Sequence, residues 1–595
     1  MNKEKIMKKI KNLDWQDKAF LVSLIIVFII QVFVLSGLHQ LPGPIYGGDV
    51  YFHQGIIHHM DNTLEPWKDP IFKEEYVFYP SFMHFLVALL SKITGLSVYS
   101  TTIYFSAIMT LTSMSIMYFL GKRFMSKTTG LILAILYGAS FRFTHASAFA
   151  SAVMIPLTVY FYYFSKNKKE YMIGGLLYAI GSVQSILIVL GIPILALVNI
   201  AKRLLIAKKK NKEWKKLFTD HAYYSLGFII GLPIFLIFYW GPVLFKYKLH
   251  TINPWQEYTA SGVQSLTFGK IISTVSGIFF NFSSGIKIIF SLVALFGIYY
   301  TFTKKKYFPL IVFFAGFLAT IHPIITMPLF GTSFGWYRFP VYLVFSSIIF
   351  IAAGFNAIIN IKTKYTNYKP IVIALISLIL LMNILVGINA FKTNKWTQIG
   401  FTESPQVDTF QKVGDWLKEN DPDAVVLSLH PESSFALFGV SGIKQVTSRR
   451  THANLFVDIN ERNADAAIML FSNNTEVVKE LIEKYDVSYI FIESYGIQAQ
   501  QQCFNYKDQM ELEGYGDLGM NCYITDNNYL DSVKEAGLDY RKVLARLDPA
   551  EADGPRIELI SIIPSQNLIN GYIQNNSIQI FNENQVILLR LNNEN

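Results

Sequence analysis

Eleven apolar runs within the first 395 residues limit, more than any other feature, what this chain can fold into. A helix that crosses a bilayer needs about 20 predominantly apolar residues. The runs cover residues 19–38, 99–120, 129–144, 151–164, 223–244, 285–302, 307–326, 338–355 and 370–391, with two more inside 171–200. That last stretch is too long for one span and carries Gln184 in its middle, so it divides into two short ones. Charge follows the same division. Residues 1–395 hold 37 Lys+Arg and 13 Asp+Glu, whereas residues 396–595 hold 15 and 29. The expected fold is a polytopic α-helical membrane domain of about 11 spans over 1–395, followed by an extracytoplasmic α/β domain with a β-rich tail over 396–595. With 52% hydrophobic and 16% charged residues, a disordered chain, a fibre and an ordinary soluble enzyme are excluded.

The positive charge sits in short clusters between apolar runs. These are the five lysines of 3–11, then Lys122/Arg123/Lys127, Lys166/Lys168/Lys169, 202–216, 304–306 and Lys362/Lys364/Lys369. Membrane proteins place such clusters on the cytoplasmic side, so no nucleic-acid partner is expected. With a cytoplasmic N-terminus and eleven spans, all six clusters fall inside, provided that 77–96 lies along the outer interface instead of crossing. The first apolar run is too long for a signal peptide and lacks a cleavage site, which makes it a retained span. The protein is expected in the plasma membrane with its C-terminal domain outside. There Cys503 and Cys522 either pair or remain buried thiols.

Polar chemistry concentrates in the loops of the outer side. Asp49 stands out, in Gly47-Gly48-Asp49-Val50-Tyr51-Phe52-His53, where two glycines permit a sharp turn before a helix that the carboxylate could cap. Glu257 is the single acid of the second long loop, in Pro254-Trp255-Gln256-Glu257-Tyr258-Thr259. With Asp49 it forms the candidate catalytic pair and the candidate ligand set for a divalent cation, Mg or Mn. Arg338 is the single charge between Tyr307 and Ile361, and a guanidinium at a span end suits a phosphate. Arg142 and His145, in the loop Ser140–Ser147, either meet an anionic donor or anchor a helix end. His53, His58, His59, His84 and His322 crowd the same side without a zinc-type spacing. The densest polar group of the soluble part is Arg449, Arg450, His452, Asp458, Arg462 and Asp465, read as a salt-bridge network or an acceptor-facing site. His53, His145, His322 and Arg450 are the candidate substrate contacts.

The Gly-Gly-Asp-x-Tyr-x-His loop after one span, followed by Tyr79-Pro80-Ser81-Phe82-Met83-His84, resembles the start of the GT-C superfamily of membrane glycosyltransferases. Tyr337-Arg338-Phe339-Pro340-Val341-Tyr342 resembles the segment in which an oligosaccharyltransferase arginine contacts a lipid phosphate. Arg449-Arg450-Thr451-His452-Ala453-Asn454, Asp465-Ala466-Ala467 and the block 485–492 resemble the outer domain of archaeal oligosaccharyltransferases. The WWDYG motif of those enzymes is replaced by His430-Pro431-Glu432-Ser433-Ser434.

The resemblance implies a glycosyltransferase that takes a sugar or glycan from a polyprenyl-(pyro)phosphate donor at the outer face of the bilayer. It implies that Asp49 is the catalytic or metal-binding carboxylate. The acceptor would be a glycan, a lipid or a protein. Two alternatives stand beside this: a diverged oligosaccharyltransferase acting on protein, and a non-catalytic lipid-glycan transporter or assembly factor on the same scaffold.

Overall fold

The computed structural model describes residues 13–139, 143, 146–206, 210–250, 252, 268–330, 336–361, 368–505, 511–512, 522–546 and 556–592. The chain divides into two compact units. One comprises Met1–Leu38, Thr102–Phe235 and Ser265–Gln398, and the other His39–Thr101, Leu236–Gln264 and Ile399–Asn595.

Among the described residues, nine helices are long and apolar enough to cross a membrane: Trp15–Leu35, Val98–Phe124, Ala146–Phe164, Ile186–Leu205, Lys212–Trp240, Gly285–Thr303, Phe308–Thr326, Val341–Ile359 and Tyr368–Thr393. The two remaining apolar runs also form helices. They are Lys127–Gly138, of 12 residues, and Lys168–Gln184, of 17. The break in the long run falls at Ser185, in extended conformation, between Gln184 and Ile186. Residues 77–96 contribute the helix Phe82–Thr94, whose 13 residues are too few to span.

Close backbone approach holds the helical unit together. A Cβ on Gly175 would lie 1.8 Å from the Tyr224 carbonyl, and one on Gly227 would lie 1.9 Å from that of Met172. Lys168–Gln184 and Lys210–Phe235 therefore touch main chain to main chain, the packing that substitutes for a hydrophobic driving force in lipid. Several polar groups within the unit find partners inside it, as an apolar solvent favours. Pro193, inside Ile186–Ile206, has no N–H for the Val189 carbonyl, and the Tyr178 hydroxyl donates to that carbonyl at 3.0 Å. Tyr342 donates to the Leu187 carbonyl at 2.9 Å, and Gln31 donates to Thr110 Oγ1 at 2.9 Å. The helix Tyr368–Thr393 is mostly exposed, with Ile371, Leu375, Leu378 and Leu385 outward, as a lipid-facing helix would be.

The second unit carries two sheets. Strands β1 (Val425–Ser428), β2 (Lys444–Gln445), β3 (Tyr489–Glu493), β8 (Ser577–Glu583) and β9 (Val586–Leu591) form a sheet of order β2-β1-β3-β9-β8. Its first three strands are parallel, while β9 and β8 pair antiparallel. Strands β4 (Glu511–Leu512), β5 (Tyr523–Thr525), β6 (Tyr540–Arg546) and β7 (Arg556–Ile562) form the other, ordered β4-β6-β7-β5. Val425, Leu427, Ile490, Ile492, Met469 and Leu470 build the core. The continuous apolar burial of β1 and β3 is what marks parallel central strands in a sequence.

Three helices, Pro405–Asn420, Ile459–Phe471 and Thr475–Tyr485, accompany the sheets. Asn570-Gly571 opens the short helix Gly571–Asn575, because the Asn570 side chain accepts from Ile573 N. Cys503 and Cys522 are paired, with Cα atoms 5.2 Å apart. The architecture is that of a polytopic helical membrane protein with a sheet-containing C-terminal part.

Candidate functional site

Residues 39–101 belong to the sheet-bearing unit, and this places Asp49. The helix Asp49–Thr63 lies on the helix Pro431–Ser441 so closely that a Cβ on Gly439 would sit 2.9 Å from that of Tyr51. Gln40 ties the same loop down, donating to the Ile399 and Thr402 carbonyls at 3.0 Å each. Gly48 holds the N-cap position, so Asp49 stands in the first helical turn instead of capping it. The amide end of the helix favours the carboxylate as an anion there.

Asp49 is exposed over 79% of its side chain, yet one of its oxygens is held: His452 Nε2 lies 3.1 Å from Oδ1. The carboxylate only accepts, so a neutral His452 carries its proton on Nε2. His452 Nδ1 is then the acceptor for the Thr451 hydroxyl at 2.8 Å. Burial pushes the His452 imidazole below its ordinary pKa, and Asp49 offsets this only in part. Phe52 and Phe435 flank the ring, with centroids 4.9 and 5.0 Å away.

Arg449 completes the constellation. Its Nε forms an ion pair with Glu432 at 3.3 Å, while Nη1 is buried and has no partner among the described residues. A Cβ on Gly47 would lie 2.5 Å from that Nη1, and Gly47 has φ of +111°. Only glycine meets both demands. Glu432 stands in the first turn of Pro431–Ser441. Burial raises its carboxyl pKa, against the pull of Arg449.

The polar group read from the sequence therefore divides. Arg449 and His452 face the Asp49 loop, while the others serve the fold. Arg450 is buried and donates to the Ile524 carbonyl. Asp458 caps Ile459–Phe471, Arg462 donates to the Val446 carbonyl at 3.1 Å, and Asp465 accepts from Lys484 and Tyr485 at 2.7 Å each. His53, one turn beyond Asp49, is buried, with Nδ1 2.9 Å from His84 Nε2.

Two sequence candidates lie in the helical unit. His322 is buried, its Nδ1 2.6 Å from the Ala319 carbonyl. Arg338 is exposed at the end of a short turn before Val341–Ile359, with its guanidinium over the Tyr337 ring. Glu257, Arg142 and His145 lie outside the described residues.

Asp49 offers its carboxylate to a cation, while both ring nitrogens of His452 are engaged, by Asp49 and by Thr451. Among the described residues, no group of three His, Cys, Asp or Glu converges as metal ligands would. The described residues do not by themselves fit a divalent ion.

No family model matches the sequence, and no curated protein does. Solved structures do match. The arabinofuranosyltransferase AftD from Mycobacteria aligns with a TM-score of 0.51 at 11% identity, covering 93% of this chain and 40% of that one. The Archaeoglobus fulgidus oligosaccharyltransferase AglB, in complex with an inhibitory peptide and a dolichol-phosphate, aligns with a TM-score of 0.46 at 13% identity, over 80% of this chain and 70% of that one. The same organism's oligosaccharyltransferase complexed with Zn and sulfate gives 0.45 at 13% identity, over 78% and 67%. At such identities, the likeness to AftD is one of fold: a GT-C-like architecture.

Proposed function

We propose that this chain is a membrane glycosyltransferase that moves a sugar from a polyprenyl phosphate or pyrophosphate to an acceptor at the outer face of the bilayer. The observation that carries the reading is Asp49, an exposed carboxylate held through one oxygen by a neutral histidine at the start of a helix. A general base needs reach, orientation and an ionised form. Exposure of Asp49 gives the first, His452 the second, and the helix N-terminus favours the third. The likeness in fold to AftD supports the reading at the level of architecture.

In the proposed reaction the acceptor hydroxyl gives its proton to the Asp49 carboxylate. The acceptor oxygen attacks the anomeric carbon, and the glycosidic electron pair departs with the donor phosphate. The configuration at that carbon inverts. Arg338 is proposed to bind the donor phosphate, since a guanidinium pairs with phosphate oxygens in a bidentate fork. Arg449 Nη1 is a second donor, on the Asp49 side. Arg142 is a proposed donor-phosphate contact, His53, His145 and His322 are proposed substrate contacts, and Glu257 is the proposed second carboxylate. No step is routed through a divalent cation. The proposed orientation has the N-terminus cytoplasmic and residues 396–595 outside, where the Cys503–Cys522 pair is stable.

The test is transfer from radiolabelled polyprenyl-phosphate sugars by purified, reconstituted protein, wild type against Asp49→Asn, with magnesium, manganese or chelator. Transfer by the wild type and a loss of at least about 100-fold in a normally folded variant is the expected result. Equal transfer by both removes Asp49 from the chemistry.

A further inference from the structure

The segment after the helix Asp49–Thr63 lines a cavity within the sheet-bearing unit. Residues 59–76 line it together with Pro422, Asp423, Gly442 and Lys444, and its volume is about 370 Å³. That is within the range of small-molecule sites, which combine apolar surface with a few placed polar groups. We infer that this cavity is a binding site for a neutral saccharide, distinct from the Asp49 carboxylate.

Three observations select that ligand. The first is an unpartnered group in the wall. His59 lines the cavity and is 2% exposed, and its Nε2 is buried without a hydrogen-bond partner among the described residues. Burial, with Lys444 and Lys68 nearby, keeps the ring neutral. A ligand hydroxyl that reaches the ring edge would satisfy that nitrogen.

The second is aromatic surface left open. Trp67 and Tyr76 are 39% and 41% exposed. They are carried on paired segments, since Lys68 bridges Tyr76 and the Trp67 carbonyl accepts from Val77 N at 2.9 Å. A sugar ring offers an apolar C–H face to such rings and a hydroxyl edge to polar groups.

The third is charge. Four carboxylates line the cavity, from Glu65, Glu74, Glu75 and Asp423. Against them stand three ammonium groups, each already committed. Lys68 pairs with Glu65 at 3.1 Å, Lys73 with Asp486, and Lys444 with the Asp69 carbonyl. Burial brings Lys444 down to about 8, which weakens it further as an anchor for an anion. An anionic ligand meets the excess of carboxylates, and no cluster of metal ligands occurs among the described residues. Mixed donors and acceptors around an aromatic face suit a neutral polyol.

The wall is set before any ligand arrives. Asp69 is fully buried and accepts from Ile71 N, Phe72 N and Asn454 Nδ2 at 2.7, 2.8 and 2.7 Å. A loop fixed in this way loses little freedom on binding.

The inference stands without the glycosyltransferase reading, and one experiment separates them. Full-length protein in lipid nanodiscs would be titrated with methyl glycosides of mannose, glucose, galactose and arabinose, and with maltose and chitobiose. Saturation-transfer NMR and calorimetry would read the binding. At least one saccharide is expected to bind the wild type. Trp67→Ala, an exposed position that leaves the fold intact, should weaken it at least tenfold, and His59→Phe similarly. Asp49→Asn should bind as the wild type does, and inorganic phosphate should not compete. Absence of binding across the panel overturns the proposal, as does unchanged affinity in Trp67→Ala or displacement by phosphate. Loss of binding in Asp49→Asn would overturn the separateness of the two sites.

Discussion

In the helical unit, Gly175 and Gly227 let two backbones meet, and polar contacts between helices include a tyrosine hydroxyl on a proline-freed carbonyl, a glutamine on a threonine and the ion pairs of Asp17 with Lys127 and of Arg203 with Glu213. In the sheet-bearing unit, whole carboxylates and ammonium groups are buried: Asp69 within three hydrogen bonds, Lys444 on its carbonyl, Glu432 against Arg449. Lipid gives the first unit no hydrophobic force between helices, so shape decides its packing. Water gives the second a hydrophobic core and the means to fix loops with networks. The lesson concerns function. Precise chemistry needs a carboxylate that is exposed but oriented. Asp49 has both properties because it opens a helix that is stitched into the unit that tolerates charge.

The strongest way to break this contrast is to spoil shape in one unit and a network in the other. Gly227→Leu drives a side chain into the Met172 carbonyl and should cost more than about 3 kcal/mol, read as loss of monodisperse protein in detergent. Asp69→Ala strands two amides and the Asn454 side chain and should cost about 3 kcal/mol, read by thermal melting. A serine pair at 503 and 522 opens a loop with a sequence separation of 19 and should cost about 3 kcal/mol, while transfer per folded molecule is kept.

Smaller effects sharpen the account of Asp49. His452→Ala should lower transfer about tenfold with little change in melting, since the base keeps its charge and loses its orientation. The pH dependence has a defined sign. Burial depresses the folded-state pKa of His452, so as pH falls through the ordinary histidine range the unfolded chain takes up a proton that the folded chain does not. Stability contributed by this residue is present above that range and is lost as pH falls. The slope of melting temperature between about pH 5 and 7 should be shallower in His452→Asn than in the wild type.

Much of the fold was legible in the sequence because the bilayer imposes one length on every span. Among the described residues all eleven apolar runs form helices, nine of them long enough to span where eleven spans were expected, and the polar Gln184 marked the break at Ser185. The strands at 425–428 and 489–493 fall on short apolar runs. The place of Asp49 at the start of a helix was legible from its glycines. Its partner was not, because His452 lies 403 residues away and nothing local ties the two. The signal available was that His452 belongs to the densest polar cluster of the soluble part. Arg449 and Arg450 show the limit of such a signal. One short turn sends the first to Glu432 and the second to the Ile524 carbonyl, and composition does not distinguish neighbours. The cavity at His59 and Trp67 was illegible for a related reason. Its walls come from three separated segments, and only packing brings them together.

The most direct test of the central claim is the transfer rate per folded molecule in Asp49→Asn. The substitution keeps size and exposure, removes the proton-accepting charge and leaves an oxygen for His452. The account predicts wild-type melting with transfer reduced at least about 100-fold. Wild-type transfer by a folded Asp49→Asn protein would contradict it.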